Sequence, residues 1–152
     1  RYCGGIVQHG SYDDELCAEV RAAVAALPGQ YLTALETWQF NRALEAVWGV
    51  IDVANRFVER TEPFKLAKDP AQSARVTAIM HHLCETLAHL SVFLEPVIPA
   101  AVAQWRSQLR WEPAPGLTYA DLHWGLLPEG HAIGKPKPLF AKIEPPAADP
   151  AA

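Results

Sequence analysis

Apolar residues recur along the middle of the chain with a helical period. Phe40, Leu44, Val47, Ile51, Ala54 and Val58 are separated by alternating steps of four and three. Such spacing places side chains on one face of an α-helix. Ala43, Ala46, Val50, Val53 and Phe57 widen that face on one side, and Trp48 on the other. The pattern predicts a long helix from about Tyr31 or Leu35 to Arg60, sitting in the middle of a bundle with neighbours on two sides. A narrow polar arc remains, holding Arg42, Glu45, Asp52, Arg56, Glu59 and Arg60.

The flanking signals divide the rest. Residues 1 to 10 carry Gly4, Gly5 and Gly10 and read as an entry loop. Ser11 or Asp13 suits the start of a first helix, which should run through Ala26 and stop at Pro28-Gly29. Pro63 ends the long helix, because its ring clashes with the preceding turn and it donates no N–H. Phe64 to Lys68 then has room for at most one turn. Asp69-Pro70 restarts a helix as cap and first residue, and Val76, Ile79, Met80, Leu83, Leu87, Leu90 and Leu94 form its apolar stripe. Pro96 interrupts it, and Pro99 opens a last helix with Val102, Trp105 and Leu109. Residues 112 to 140 are rich in Pro and Gly, and read as an extended tail anchored by Trp124, Leu126, Leu127, Leu139 and Phe140. The expected fold is all-α: an antiparallel bundle of about four main helices carrying this tail. Residues 1–144 form the domain, and 145–152, PPAADPAA, read as a flexible end or linker.

Composition narrows the function. The chain has 152 residues, 50% of them apolar, which suits one domain. No apolar run approaches the roughly 18 residues of a membrane span, and no signal peptide opens the sequence. It begins at Arg1 and its one methionine is Met80, so it reads as a fragment of something longer. Cys3, Cys17 and Cys84 are odd in number and lack CxxC spacing, as expected of reduced thiols in a cytoplasmic protein. The net charge of −4 opposes a broad nucleic-acid groove. Residues 55–68 are the exception. Arg56, Arg60, Lys65 and Lys68 stand there against Glu59 and Glu62, a net of +2.

Candidate chemistry is sparse. His81, Glu85 and His89 have the i, i+4, i+8 spacing of helical metal ligands, beside His82. Their face lies opposite the Val76–Leu94 stripe and should be solvated, which argues for a polar surface and against a metal. HExxH, GxSxG, GxGxxG and phosphate-loop patterns do not occur. The corner Asn55–Lys68, NRFVERTEPFKLAK, stands apart. Asn55 falls at the edge of the apolar arc, either tying the helix end to the next segment or offering its amide to a ligand. Phe64 either fills a core gap or stands out as a platform for an unstacked base.

Beyond these residues, the segments FNRALEAVW and ANRFVERTEPFKLAK together resemble the helical anticodon-binding domain of methionyl-tRNA synthetases. In that family a long helix ends in an Asn-Arg-aromatic segment, followed by an acidic residue, a Pro-Trp pair and a Lys-rich turn. Asn55, Arg56, Phe57, Glu59, Pro63, Phe64, Lys65 and Lys68 occupy those places. The segment GHAIGKPKPLFAKIE is similar to the family's closing GxxxGxPxPLFxxIE, at Gly130, Gly134, Pro136, Pro138, Leu139, Phe140, Ile143 and Glu144. YCGGIV looks like the loop after the family's first anticodon-domain helix. One departure stands out: the family usually places Trp where this chain has Phe64.

The resemblance implies tRNA anticodon recognition (CAU). Phe64 would be the stacking platform and Pro63 its mount. Asn55 and Glu59 would meet base edges or brace the platform, and Arg56, Lys65 and Lys68 would steer phosphates. The segment itself would hold no cofactor. ATP with Mg would serve a Rossmann-type catalytic domain in the parent enzyme, whose partner is the tRNA anticodon stem-loop. The alternatives are the anticodon domain of an isoleucine, valine or leucine synthetase, or a helical interaction module with no RNA role, in which Phe64 is buried.

Overall fold

A computed structural model describes residues 3–140 of the chain. The expected all-α bundle is present. Its elements in order are a short strand β1 (Ile6–Val7), helices α1 (Glu15–Glu36), α2 (Phe40–Thr61), α3 (Pro63–Leu66), α4 (Ser73–Leu94) and α5 (Pro99–Leu109), and a second strand β2 (His131–Ala132). A 3₁₀ turn at Pro70–Gln72 leads into α4, and another at Tyr119–Asp121 lies in the tail. The entry segment is more ordered than a plain loop, since β1 pairs antiparallel with β2 through Ile6–Ala132 and Val7–His131. Ile143, Glu144 and the predicted 145–152 linker lie outside the described residues.

The first two helices meet elsewhere than the prolines suggest. α1 begins where Asp14 accepts the Cys17 N–H at 2.9 Å, and it runs straight through Pro28. A proline inside a helix costs about 3 kcal/mol, because it removes one bond and crowds the preceding turn. Burial outweighs that cost here. Cys17, Val20, Val24, Leu27, Tyr31 and Ala34 form one continuous core face on both sides of Pro28, and a fully buried side chain of Leu size is worth roughly 1.5–3 kcal/mol. The Tyr31 hydroxyl also donates to the Phe93 carbonyl at 3.1 Å. The true break is at Trp38, whose φ of 59° is left-handed. There the Gln39 N–H reaches the Ala34 carbonyl and the Trp38 N–H the Leu35 carbonyl, both at 2.9 Å, a Schellman closure. Tyr31 and Leu35 therefore belong to α1, and α2 begins at Phe40.

The buried face of α2 is also rotated from the expected one. Its buried residues are Ala43, Val47, Val50, Phe57 and Thr61, while Phe40 and Trp48 are 59% and 55% exposed. The central helix is α4, with thirteen of its 22 residues buried. Along it, Val76, Ile79, Leu90 and Leu94 are buried as expected, but Leu87 is exposed.

The polar face of α4 is the largest correction. His81, His82, Glu85 and His89 are buried, not solvated. The reason lies about forty residues downstream, where the tail crosses this face. Glu85 receives the backbone N–H groups of Gly125 at 2.6 Å, Leu126 at 2.5 Å and Leu127 at 3.0 Å. Trp124 lies against the rings of His82 and His89, at centroid distances of 5.2 and 6.0 Å. His9 stacks on His81 at 4.4 Å and bonds the Leu127 carbonyl at 2.9 Å. Leu127 is fully buried as expected, whereas Phe140 is 70% exposed. The tail is thus held by a polar seam as much as by aromatics.

Candidate functional site

The corner after α2 is built by a sharp backbone reversal. Phe57 is buried among Cys17, Val20 and Ile79, which ties the last turns of α2 to α1 and α4. The Thr61 hydroxyl donates to the Phe57 carbonyl at 2.6 Å, closing the helix end. Glu62 then adopts φ 43° and ψ 54°, its N–H still bonded to the Val58 carbonyl at 2.9 Å. This left-handed step points the chain in a new direction just before Pro63, where the helix could not have continued.

Pro63 opens the single turn of α3 and is buried. Leu66, three residues on, packs half-buried against the Phe57 cluster. Residues i and i+3 share a helix face, so two inward anchors turn the residue between them outward. Phe64 is accordingly 49% exposed. Phe64 is therefore not a core filler, and its ring stands out from the turn. Lys65 and Lys68 are exposed around it, and the Ala67 N–H returns to the Pro63 carbonyl at 2.9 Å, stiffening the turn.

The polar residues divide into two rows. Asn55 and Glu59, four apart, share the face of α2 opposite buried Phe57, and both are exposed. Asn55 is thus not at the edge of the core: two residues before Phe57, it lies about 200° around the helix. Arg56 and Arg60 form the second row and lean toward α1, where Glu19 lies 3.5 Å from Arg56 and 3.7 Å from Arg60. The Lys65 ammonium lies 2.6 Å from the Glu62 carboxylate, while Lys68 has no ion pair among the described residues. Counting Glu19, the +2 of the 55–68 stretch falls to +1. Sequence reasoning missed Glu19 because it lies 37 residues before Arg56 and becomes a neighbour only when α1 packs on α2. These pairs are solvent-exposed, and such pairs hold each other by about 0–1 kcal/mol.

All seven predicted site residues thus gather at one end of the bundle. Asn55, Arg56, Glu59, Phe64, Lys65 and Lys68 are exposed there, and Pro63 is the buried anchor. The surface joins an aromatic face, a hydrogen-bonding edge and exposed cations. This combination suits an unpaired nucleotide loop better than a rigid duplex.

The histidine helix offers a different arrangement. Asp13, Cys17 and His82 place ligand-type atoms within 4.8 Å of one another. Arg21 already sits among them, donating to both Asp13 oxygens at 2.8 Å with one of its nitrogens 2.8 Å from His82 Nε2. His82 Nδ1 faces the Ala78 carbonyl at 2.8 Å, so it carries the proton and Nε2 accepts from Arg21. The guanidinium holds Asp13 below the usual carboxylate range, and burial pushes the Cys17 thiol up to about 11. A protonated thiol and an occupied carboxylate are poor ligands. The oxygens of Glu85 are likewise taken up by the tail amides.

Comparison with known proteins gives the family. Residues 4–149 match the family model described as the anticodon binding domain of methionyl tRNA ligase. The methionine–tRNA ligase of Fusobacterium nucleatum is 28% identical over 146 residues, which is 95% of this chain and 23% of that protein. That of Deinococcus radiodurans is 31% identical over 151 residues, 97% of this chain and 21% of that protein. The chain thus spans less than a quarter of the length of these relatives. The apo structure of Mycobacterium tuberculosis methionyl-tRNA synthetase superposes with a TM-score of 0.82 at 23% identity, over 93% of this chain and 29% of that one, and shares its fold. On a family match that runs through both the Pro63–Phe64 corner and the tail, the chain belongs to the anticodon-binding domains of methionyl-tRNA ligases.

Proposed function

We propose that this chain reads the CAU anticodon of tRNA on behalf of a longer methionine–tRNA ligase. The observation that carries the proposal is Phe64, half-exposed on a turn whose flanking residues Pro63 and Leu66 are anchored in the bundle. A preorganised aromatic binds an unstacked base without first paying to order itself. Phe64 stacks an anticodon base, and Pro63 fixes the height of the ring. Asn55 and Glu59 meet base edges, since an amide offers both donors and an acceptor while a carboxylate accepts from exocyclic amines. Arg56, Lys65 and Lys68 receive backbone phosphates, exchanging their exposed carboxylate partners for them.

The parent enzyme joins methionine to tRNA with ATP through an aminoacyl-adenylate, in a Rossmann-type catalytic domain and in the cytoplasm. ATP and Mg serve that domain, and no residue of this chain is assigned to them. One related Mycobacterium tuberculosis methionyl-tRNA synthetase structure is bound by methionyl-adenylate. No helix among the described residues is long and apolar enough to cross a membrane.

The test is Phe64→Ala in the full-length ligase. Loss of one base stack removes roughly 1–3 kcal/mol, so aminoacylation should fall about 5- to 150-fold in kcat/KM for tRNA. Methionine-dependent pyrophosphate exchange, which needs no tRNA, should stay near the parent value. Equal losses in both assays, or no loss in either, would refute the role of Phe64. Phe64→Trp should bind tRNA more tightly through its larger ring.

A further inference from the structure

The two arginines of the corner are held by a carboxylate from another helix. Glu19 lies on α1, and its two oxygens face different partners. Oε1 is 3.5 Å from Arg56 Nη2, and Oε2 is 3.7 Å from Arg60 Nη1. The core fixes this arrangement. Val20, the residue after Glu19, and Phe57, the residue after Arg56, are buried in one cluster with Cys17 and Ile79. Arg60 stands four residues after Arg56 and shares its face of α2. Thr61, next to Arg60, is buried and its hydroxyl donates to the Phe57 carbonyl at 2.6 Å. Packing thus sets the backbone positions of all three charges.

The other two cations of the corner are placed differently. Lys65 pairs within its own turn with Glu62 at 2.6 Å, and Lys68 has no ion pair among the described residues. Among those residues, Glu19 is the carboxylate that reaches the corner's cations from outside the 55–68 stretch. One carboxylate faces two guanidiniums, so the trio keeps a net charge of +1. Glu19 engages one nitrogen of each guanidinium, and each fork carries further N–H donors. A phosphate that approaches Arg56 or Arg60 meets Glu19 as a competitor of like charge.

We infer that Glu19 sets the strength of the sequence-independent part of RNA binding at this corner, competing with the RNA backbone for Arg56 and Arg60. The inference rests on the reading of the corner as a tRNA site. Phosphates look alike at every position, so contacts to them hold any single strand equally, whereas bases are told apart by their edges and rings. Glu19 weakens the first kind of contact and leaves the second untouched. Its position suits that division, since it draws both arginines toward α1 and away from the row of Asn55 and Glu59. Glu19 is a positioning residue: it acts on the RNA through the arginines.

The test is Glu19→Gln in the full-length ligase, which removes the charge and keeps the size of the side chain. Glu15→Gln controls for net charge alone, since Glu15 is exposed one turn earlier on α1 and has no ion pair among the described residues. Fluorescence anisotropy measures binding of a tRNA transcript with a CAU anticodon, the same transcript with another anticodon, and a short oligouridylate. Exposed ion pairs are weak, so Glu19→Gln should tighten all three about 2- to 5-fold and leave the ratio between the two transcripts unchanged. The slope of log K against log salt should steepen by up to about 0.7. In aminoacylation, KM for tRNA should fall by the same factor at constant kcat, as for a contact made equally in ground and transition states. The gain should vanish in an Arg56→Gln/Arg60→Gln background, where Glu19 has nothing to hold. No tightening, a gain matched by Glu15→Gln, a gain that survives without the arginines, or a gain confined to the CAU transcript would each overturn the inference. Phe64→Ala measured alongside separates the two readings. If it lowers aminoacylation while Glu19→Gln changes nothing, the anticodon reading stands and this inference falls. If Glu19→Gln tightens all three RNAs while Phe64→Ala has no effect, the role of Glu19 in backbone binding stands and the role of Phe64 falls.

Discussion

Replacing Glu85 should detach the tail while leaving the helices assembled. This side chain is fully buried in the middle of α4, and its two oxygens receive three consecutive backbone N–H groups of the tail. In Glu85→Ala, the amides of Gly125, Leu126 and Leu127 lose their acceptors. Leaving a buried donor unsatisfied costs about 1–3 kcal/mol, but Gly125 and Leu126 lie near enough to solvent to recover water. The full penalty falls on Leu127 and a fraction on the other two, with a small cavity in addition, for a total of roughly 3–5 kcal/mol. Glu85→Gln keeps one acceptor oxygen for the two short bonds and turns an NH₂ toward the third amide, so its cost should be about 1–3 kcal/mol. Urea titration read by far-UV circular dichroism measures the loss. Hydrogen exchange locates it: the amides at 125–127 should lose protection in Glu85→Ala well before those of α1 and α2. A loss under about 1 kcal/mol, with protection at 125–127 intact, would refute the seam as the tail's anchor.

Three further outcomes follow from the same geometry. Acidification should weaken the fold through the histidine seam: burial lowers the His81 pKa to about 4 and lowers that of His82, against about 6.5 in the unfolded chain. A base whose folded pKa is depressed supports the fold fully above the unfolded value, and that support is lost as pH falls from about 6.5 through about 4, on the order of 3 kcal/mol for His81. His81→Leu should flatten this part of the stability-versus-pH curve, and an unchanged curve would be evidence against it. Gly10→Ala should destabilise by about 2–3 kcal/mol in urea titration, since φ there is +66° and the added carbon would meet the Ala78 backbone N at 3.0 Å. Pro28→Ala should raise stability by about 1 kcal/mol or more in the same assay, because it restores an N–H to the Val24 carbonyl inside a helix that already runs through it.

Much of the architecture follows from local sequence. The apolar period yields the helices, Asp69-Pro70 starts the 3₁₀ turn that leads into α4, Pro99 starts α5, and Pro63 stops α2, because these effects act within one or two turns. The place of the corner was legible for the same reason: all seven of its predicted site residues lie within fourteen positions, so nearness along the chain brings them to one helix end. Local rules fail where distant chain segments meet. Pro28 and Pro63 look equally able to end a helix. Only the core face continuing through Tyr31 and Ala34 carries α1 past the first, while the left-handed Glu62 redirects the chain before the second. His81, Glu85 and His89 stand opposite an apolar stripe and so read as solvated, until a tail forty residues away covers them. Whether Phe64 was buried or exposed hung on which neighbours of the turn point inward, and Glu19 joined the corner only when α1 packed on α2. Sequence by itself determined the helices and which residues share a face. Tertiary structure decided which faces meet water, because burial belongs to pairs of segments and no single segment encodes it.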